Sequence, residues 1–166
     1  MIILETERCF LRTWKQEDVE DALKIWGDSQ VMKYVGEPFE NLEKAERALQ
    51  NAITAQKKNG ICLWAVVEKA NQTIIGACGF HLFEEKVLEI AYHFIPEVWG
   101  KGFASETVKE CIEYAFAKLD VEKIVGFTDS ENVGSQKVLE KNGFEFVRIE
   151  TFDEKPERRY ELKKRI

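Results

Sequence analysis

One segment constrains this chain more than any other: Leu88-Glu89-Ile90-Ala91-Tyr92-His93-Phe94-Ile95-Pro96-Glu97-Val98-Trp99-Gly100-Lys101-Gly102-Phe103-Ala104-Ser105-Glu106. Leu88, Ile90, Tyr92 and Phe94 alternate with Glu89, Ala91 and His93, the period of a strand with two unlike faces. Pro96 ends that strand, and two glycines separate it from a long helical pattern, Phe103–Leu119. Ala104, Val108, Cys111, Ile112, Ala115 and Leu119 share one side of this helix, opposite Glu106, Lys109, Glu110 and Glu113. A strand that passes into a helix through Gly-x-Gly leaves backbone N–H groups uncovered at the positive end of a helix dipole. Small Ala104 and Ser105 let a ligand lie against the first turn, and Lys101 adds a cation. The pattern suits a phosphate or diphosphate, although its spacing also fits a plain tight turn. Two nucleotide fingerprints are excluded. Gly-x-x-x-x-Gly-Lys-Ser/Thr is absent, and Ser105 stands where the dinucleotide motif needs its last Gly or Ala.

The flanking segments alternate in type. Ile2–Leu4 and Cys9–Arg12 read as extended. Lys15–Trp26 has Val19, Ala22, Leu23, Ile25 and Trp26 near helical spacing, and a second helix is expected over Asn41–Lys58 with Asn59-Gly60 as its stop. Ile61–Val67 and Thr73–Phe83 read as strands joined by a turn at Ala70-Asn71-Gln72. Ile124–Thr128 is a short strand, Asn132–Asn142 a helix closed by Gly143, and Phe144–Thr151 and Arg158–Leu162 are final strands. Charged Asp153–Arg159 reads as a solvated turn between them. This order predicts an α+β (mixed α/β) fold whose sheet is mainly antiparallel with a parallel portion in its second half. The 166 residues contain no repeat or linker, so one domain spanning residues 1–166 is expected.

With 24 basic against 30 acidic residues the net charge is −6, which disfavours nucleic-acid binding. No apolar run reaches the ~18 residues of a membrane span. The opening residues, with Glu5 and Glu7, lack the pattern of a secretion signal. Cys9, Cys62, Cys78 and Cys111 therefore read as reduced thiols of a cytoplasmic protein. Cys78 and His81 stand alone and point to opposite faces of a strand, so no metal site is expected.

The segment from Leu88 to Glu106 resembles the acetyl-coenzyme A segment of the GNAT superfamily of N-acetyltransferases. Asn132-Val133-Gly134-Ser135, followed by Gly143-Phe144, resembles that superfamily's next helix motif. Thr6-Glu7-Arg8-Cys9-Phe10-Leu11-Arg12 is similar to the Thr-Glu-Arg-Leu-x-Leu-Arg start of its ribosomal-protein N-terminal acetyltransferase branch, with Cys9 in place of Leu. The resemblance implies a GNAT fold: a central twisted, mostly antiparallel sheet splayed into a V after the fourth strand, flanked by helices. It implies acetyl-CoA as acetyl-donor co-substrate, its diphosphate on the loop formed by Trp99, Gly100, Lys101, Gly102, Phe103, Ala104 and Ser105. Its pantetheine arm would run along the strand end at His93 and Phe94, with Asn132 and Lys137 also on the cofactor side and Ser135 near the sulfur. Many relatives carry a thiolate-protonating Tyr seven residues beyond the Asn; here that position is Leu139, and Ser135 is the substitute. Glu89, matching the Glu of the family's Glu-Ile-Gly-Tyr strand, is the candidate general base, and His93 on the same face could assist. Tyr92 reads as core.

The expected reaction is acetyl transfer to a primary amine, first a protein N-terminal α-amine. The alternatives are a small amine (a polyamine, an amino acid or an aminoglycoside) and a non-catalytic acetyl-CoA sensor. An α-amine with pKa near 7.8 costs only about 1 kcal/mol to deprotonate at neutral pH, against roughly 4–5 kcal/mol for a lysine. The assembly is expected to be a monomer or homodimer.

Overall fold

The strand-forming stretches assemble into one eight-stranded sheet in the order β1-β2-β3-β4-β5-β6-β8-β7. In this computed structural model, which describes residues 1–165, the strands are β1 (Ile2–Glu5), β2 (Cys9–Arg12), β3 (Leu63–Glu68), β4 (Thr73–Glu84), β5 (Val87–Phe94), β6 (Lys123–Asp129), β7 (Glu145–Phe152) and β8 (Lys155–Lys163). The helices are α1 (Val19–Trp26), α2 (Ser29–Met32), α3 (Leu42–Asn59), α4 (Phe103–Lys118) and α5 (Val133–Lys141). Every neighbouring pair is antiparallel except β5 and β6. A parallel pair needs a long crossover, and α4 supplies it.

The helices cover both faces. On one, Cys111 of α4 lies 3.7 Å from Cys78 of β4, sulfur to sulfur, and Tyr114 packs edge-on to fully buried Trp64 at 5.6 Å. On the other, Trp26 of α1 sits 5.6 Å from Trp14 and 6.1 Å from Phe39, with α3 packed outside it. All four cysteines are buried and unpaired.

Three features differ from the sequence reading. α2 is too short to leave a hydrophobic period; its signal is Asp28, whose Oδ1 accepts the amides of Gln30 and Val31 at 2.8 and 3.1 Å. The charged run before Arg159 is mostly strand. Only Asp153 and Glu154 turn, both with positive φ, because Glu157, Arg159 and Glu161 alternate onto one face where they find partners. The V opens after the fifth strand rather than the fourth, because the first residues form two strands, β1 and β2.

β5 and β6 pair only over Val87–Glu89 with Lys123–Val125. Beyond that point β5 stays with β4 and β6 with β8, so the sheet divides. Gly126 sits at the division. A Cβ there would lie 3.0 Å from Leu139 of α5 and 3.3 Å from Ile90, so a bare backbone lets both side chains wedge into the fork. Leu139 is buried as that wedge.

Candidate active site

The fork opens onto a cavity of about 840 Å³. Its walls are the end of β5 (Tyr92, His93, Phe94), the loop into α4 (Val98 to Ser105), the start of α5 (Asn132 to Ser135) and the α2 segment (Gln30 to Val35). Lys155 ties the α2 wall to the β7–β8 hairpin: its Nζ donates to the Tyr34 carbonyl at 2.7 Å and pairs with Asp129 at 3.3 Å.

The loop into α4 is shaped by its glycines. Gly100 and Gly102 have φ of +76° and +82°, a conformation that side chains resist, and nothing lies within 4 Å of where a Gly100 Cβ would be. Gly102 is the N-cap of α4 and offers no side chain to its first turn. The amides of Phe103, Ala104 and Ser105 are thus left for an outside acceptor, at the end of a four-turn helix where the dipole favours an anion. Trp99 folds back, its indole N–H donating to the Phe94 carbonyl at 2.7 Å.

A second layer holds this loop. Glu106, one turn into α4, accepts from the Thr6 hydroxyl at 2.6 Å, the Arg8 amide at 3.0 Å and Arg8 Nε at 2.8 Å. Arg8 Nη2 donates to the Lys101 carbonyl at 2.9 Å, and the guanidinium stacks 3.9 Å above the Phe103 ring. Burial alone would raise the Glu106 carboxyl, but the hydrogen bonds from Thr6 and Arg8 outweigh it and hold it below its usual value. Arg8 also offsets a carboxylate that would otherwise repel an anion at this helix end.

Along β5 the backbone alternates. The Ile95 amide is taken by Ile75 of β4, so the amides of Phe94 and Tyr92 point the other way, toward the gap left by β6. The Tyr92 hydroxyl reaches Ser135 twice, at 2.9 Å to the carbonyl and 2.9 Å to Oγ. Burial pushes the Tyr92 pKa above its ordinary value, so it stays protonated. On the opposite face, His93 Nδ1 accepts from the Trp26 indole at 2.9 Å, and burial together with His81 lowers its pKa to about 4. His93 is therefore neutral at physiological pH, with its proton on Nε2.

Residues 8–145 match the acetyltransferase (GNAT) domain family. The chain belongs to that family. The uncharacterized N-acetyltransferase YoaA of Bacillus subtilis is 35% identical over 149 residues, 86% of this chain and 82% of YoaA. A GNAT acetyltransferase from Bacillus anthracis superposes with a TM-score of 0.87 at 25% identity over 98% of both chains. RimL, a ribosomal L7/L12 alpha-N-protein acetyltransferase in complex with coenzyme A, superposes with the same TM-score of 0.87 at 16% identity, again over 98% of both. As a GNAT N-acetyltransferase the chain is an acetyl-CoA-dependent acyltransferase acting on an amine acceptor.

Most of the residues expected from the sequence meet in this GNAT cavity. His93, Phe94, Trp99, Gly100, Gly102, Phe103, Ala104, Ser105, Asn132 and Ser135 all line it. Lys101 and Lys137 are exposed outside its wall, Lys101 with its carbonyl engaged by Arg8. Phe103 contributes backbone; its ring is buried beneath Arg8. Asn132 caps α5, its Oδ1 accepting the Ser135 amide at 3.2 Å, while its NH2 group has no partner among the described residues. Glu89 also stands outside the wall. It projects to the α1 face with His93, beside Glu157, and burial first and the Glu157 charge second raise its pKa. Among the described residues no cluster of three or more His, Cys, Asp or Glu could hold a metal.

Three contributors were not singled out from sequence. Tyr92 left a signal, a hydroxyl on an otherwise apolar strand face. Arg8 and Thr6 sit in the opening motif, but their partner Glu106 is 98 and 100 residues away, and no local pattern joins them. Replacing Arg8 by Ala is expected to weaken coenzyme A binding about tenfold, roughly 1.4 kcal/mol, while leaving kcat at saturating donor near wild type. Calorimetric titration with coenzyme A and with pantetheine, which lacks the diphosphate, checks it: only the former should weaken.

Proposed function

We propose that the protein acetylates the α-amine of a protein N-terminus, with Glu89 accepting the amine proton and Ser135 hydrogen-bonding the departing sulfur. The observation that carries this is the divided sheet. The open edge of β5 begins just past Glu89, the last residue paired with β6, and Glu89 lies on one face of the sheet while Ser135 of α5 meets Tyr92 on the other, so an acyl group held along that edge lies between the face of the base and the face of the donor. The bound thioester supplies the activated acetyl group. The amine lone pair forms the new C–N bond as the C–S bond breaks. One proton leaves nitrogen for Glu89. A serine hydroxyl is a far weaker acid than a thiol, so Ser135 stabilises the leaving thiolate by a hydrogen bond, and solvent supplies its proton. A backbone N–H from the gap-facing edge of β5 polarises the carbonyl.

The base available favours an α-amine. His93, with its pKa near 4 and its Nδ1 engaged by Trp26, is a poor base. Glu89, whose pKa burial first and the Glu157 charge second raise, is a stronger base than an ordinary carboxylate. An amine that loses its proton near neutrality needs only this much help. Release of free thiol from acetyl-CoA, measured against peptides with free N-termini, N-blocked lysine peptides and spermidine, tests the reading; faster turnover of spermidine or of the lysine peptide would move the acceptor class.

The pH profile supplies a second check. Glu89 works ionised, so activity rises with pH through its raised pKa. Glu157→Gln removes a neighbouring negative charge and shifts this acidic limb to lower pH. Glu89→Gln abolishes the limb and lowers kcat by about a hundredfold. A limb unmoved in both variants assigns the proton acceptor elsewhere.

A further inference from the structure

β7 is the outermost strand of the sheet, and among the described residues its only ladder is with β8. Edge strands are ordinarily blunted by shortness, lysine or proline, which discourage pairing with another chain. β1, at the other edge, has four residues and a shifted register. β7 has eight residues, Glu145-Phe146-Val147-Arg148-Ile149-Glu150-Thr151-Phe152, with no lysine and no proline. Phe146, Val147, Ile149 and Phe152 are 45%, 41%, 47% and 45% exposed, a concentration of apolar surface that a solitary edge does not need. The register shift against β8 falls between Phe146 and Arg148, leaving the strand regular from Arg148 onward.

The sequence of β7 complements itself. Arg148 and Glu150 share one face and pair at 2.8 Å, while Ile149 and Thr151 point to the other. Two antiparallel copies centred on Ile149 set each Arg148 opposite the other copy's Glu150 and Ile149 opposite itself, with Val147, at the register shift, left outside the regular pairing. Opposite charges then meet on one face and β-branched side chains on the other, the pairings that stabilise a ladder. A two-fold at Arg148 or at Glu150 would instead put like charges directly opposite. One between Arg148 and Ile149 would put charge against apolar side chains. We propose that two copies of this chain pair through β7 in the Ile149-centred register, making one sheet continuous across a two-fold dimer.

The test begins with the mass of the native protein over a dilution series, by light scattering or sedimentation; a dimer is expected. In Ile149→Cys the two new thiols face each other across the axis, and mild oxidation should give a covalent dimer. The native cysteines are buried and contribute little background. Leu82→Cys, an exposed position on β4, should stay single-chain. Arg148→Glu crowds carboxylates from both copies around the axis and should raise the dimer dissociation constant at least about tenfold, whereas Arg148→Lys should keep it near wild type. Should either variant fold poorly, hydrogen exchange on the native protein decides, since β7 amides must gain protection as concentration rises. A single-chain mass at every concentration overturns the proposal. So does a dimer indifferent to Arg148→Glu, cross-linking at 149 no faster than at 82, or β7 exchange independent of concentration.

Discussion

Gly102→Asp is expected to weaken coenzyme A binding at least about a hundredfold, roughly 2.7 kcal/mol, with the fold intact. Two costs combine. The φ of +82° is one that any side chain resists, and a new carboxylate would stand at the N-cap of α4 beside the amides left open for the diphosphate. Gly102→Ala separates them: its Cβ would meet only Arg8 Nη2, at 3.5 Å, so it carries backbone strain without charge and should lose much less. Titration calorimetry with coenzyme A reads both. Unchanged affinity in the Asp variant would put the diphosphate somewhere else.

Ser135→Ala is expected to lower kcat about a hundredfold with little change in the KM for acetyl-CoA, because the lost interaction forms as the sulfur departs. Tyr92→Phe should lower kcat less, about tenfold. The Tyr92 hydroxyl can donate to either the Ser135 carbonyl or its Oγ. Only in the second arrangement is the serine proton free to face the cavity, so Tyr92 acts as a positioning residue. Its pKa, raised by burial, keeps the proton that this requires. The double variant should be no slower than Ser135→Ala alone, the signature of two groups acting as one unit. Additive losses would separate Tyr92 from Ser135, and an unaltered kcat in Ser135→Ala would remove the serine from the chemistry.

Local pattern made much of this protein legible. The β5 alternation, the stop at Pro96, the two glycines and the α4 stripe each depend on neighbours within a few residues, and those boundaries fall close to where they were expected. The parallel step from β5 to β6 followed from a helix between two strands. What stayed hidden depends on contacts distant in sequence. Nothing near Arg8 announces Glu106, and nothing near Trp26 announces His93, whose neutral state comes from that burial. The apolar strand face makes Tyr92 read as core, and its hydroxyl finds a partner only when α5 brings Ser135 within 2.9 Å. Lys101 and Lys137 show the converse. Both are exposed and lie outside the cavity lining, because a place beside a motif in sequence does not fix which way a side chain turns.

The fork at Gly126 ties the aperture of the cavity to the stability of the whole domain. Leu139 and Ile90, both buried, fill the space over Gly126 where the two half-sheets part, so core side chains shape the mouth of the slot. Its width is inherited from interior packing, and it persists until that packing melts cooperatively.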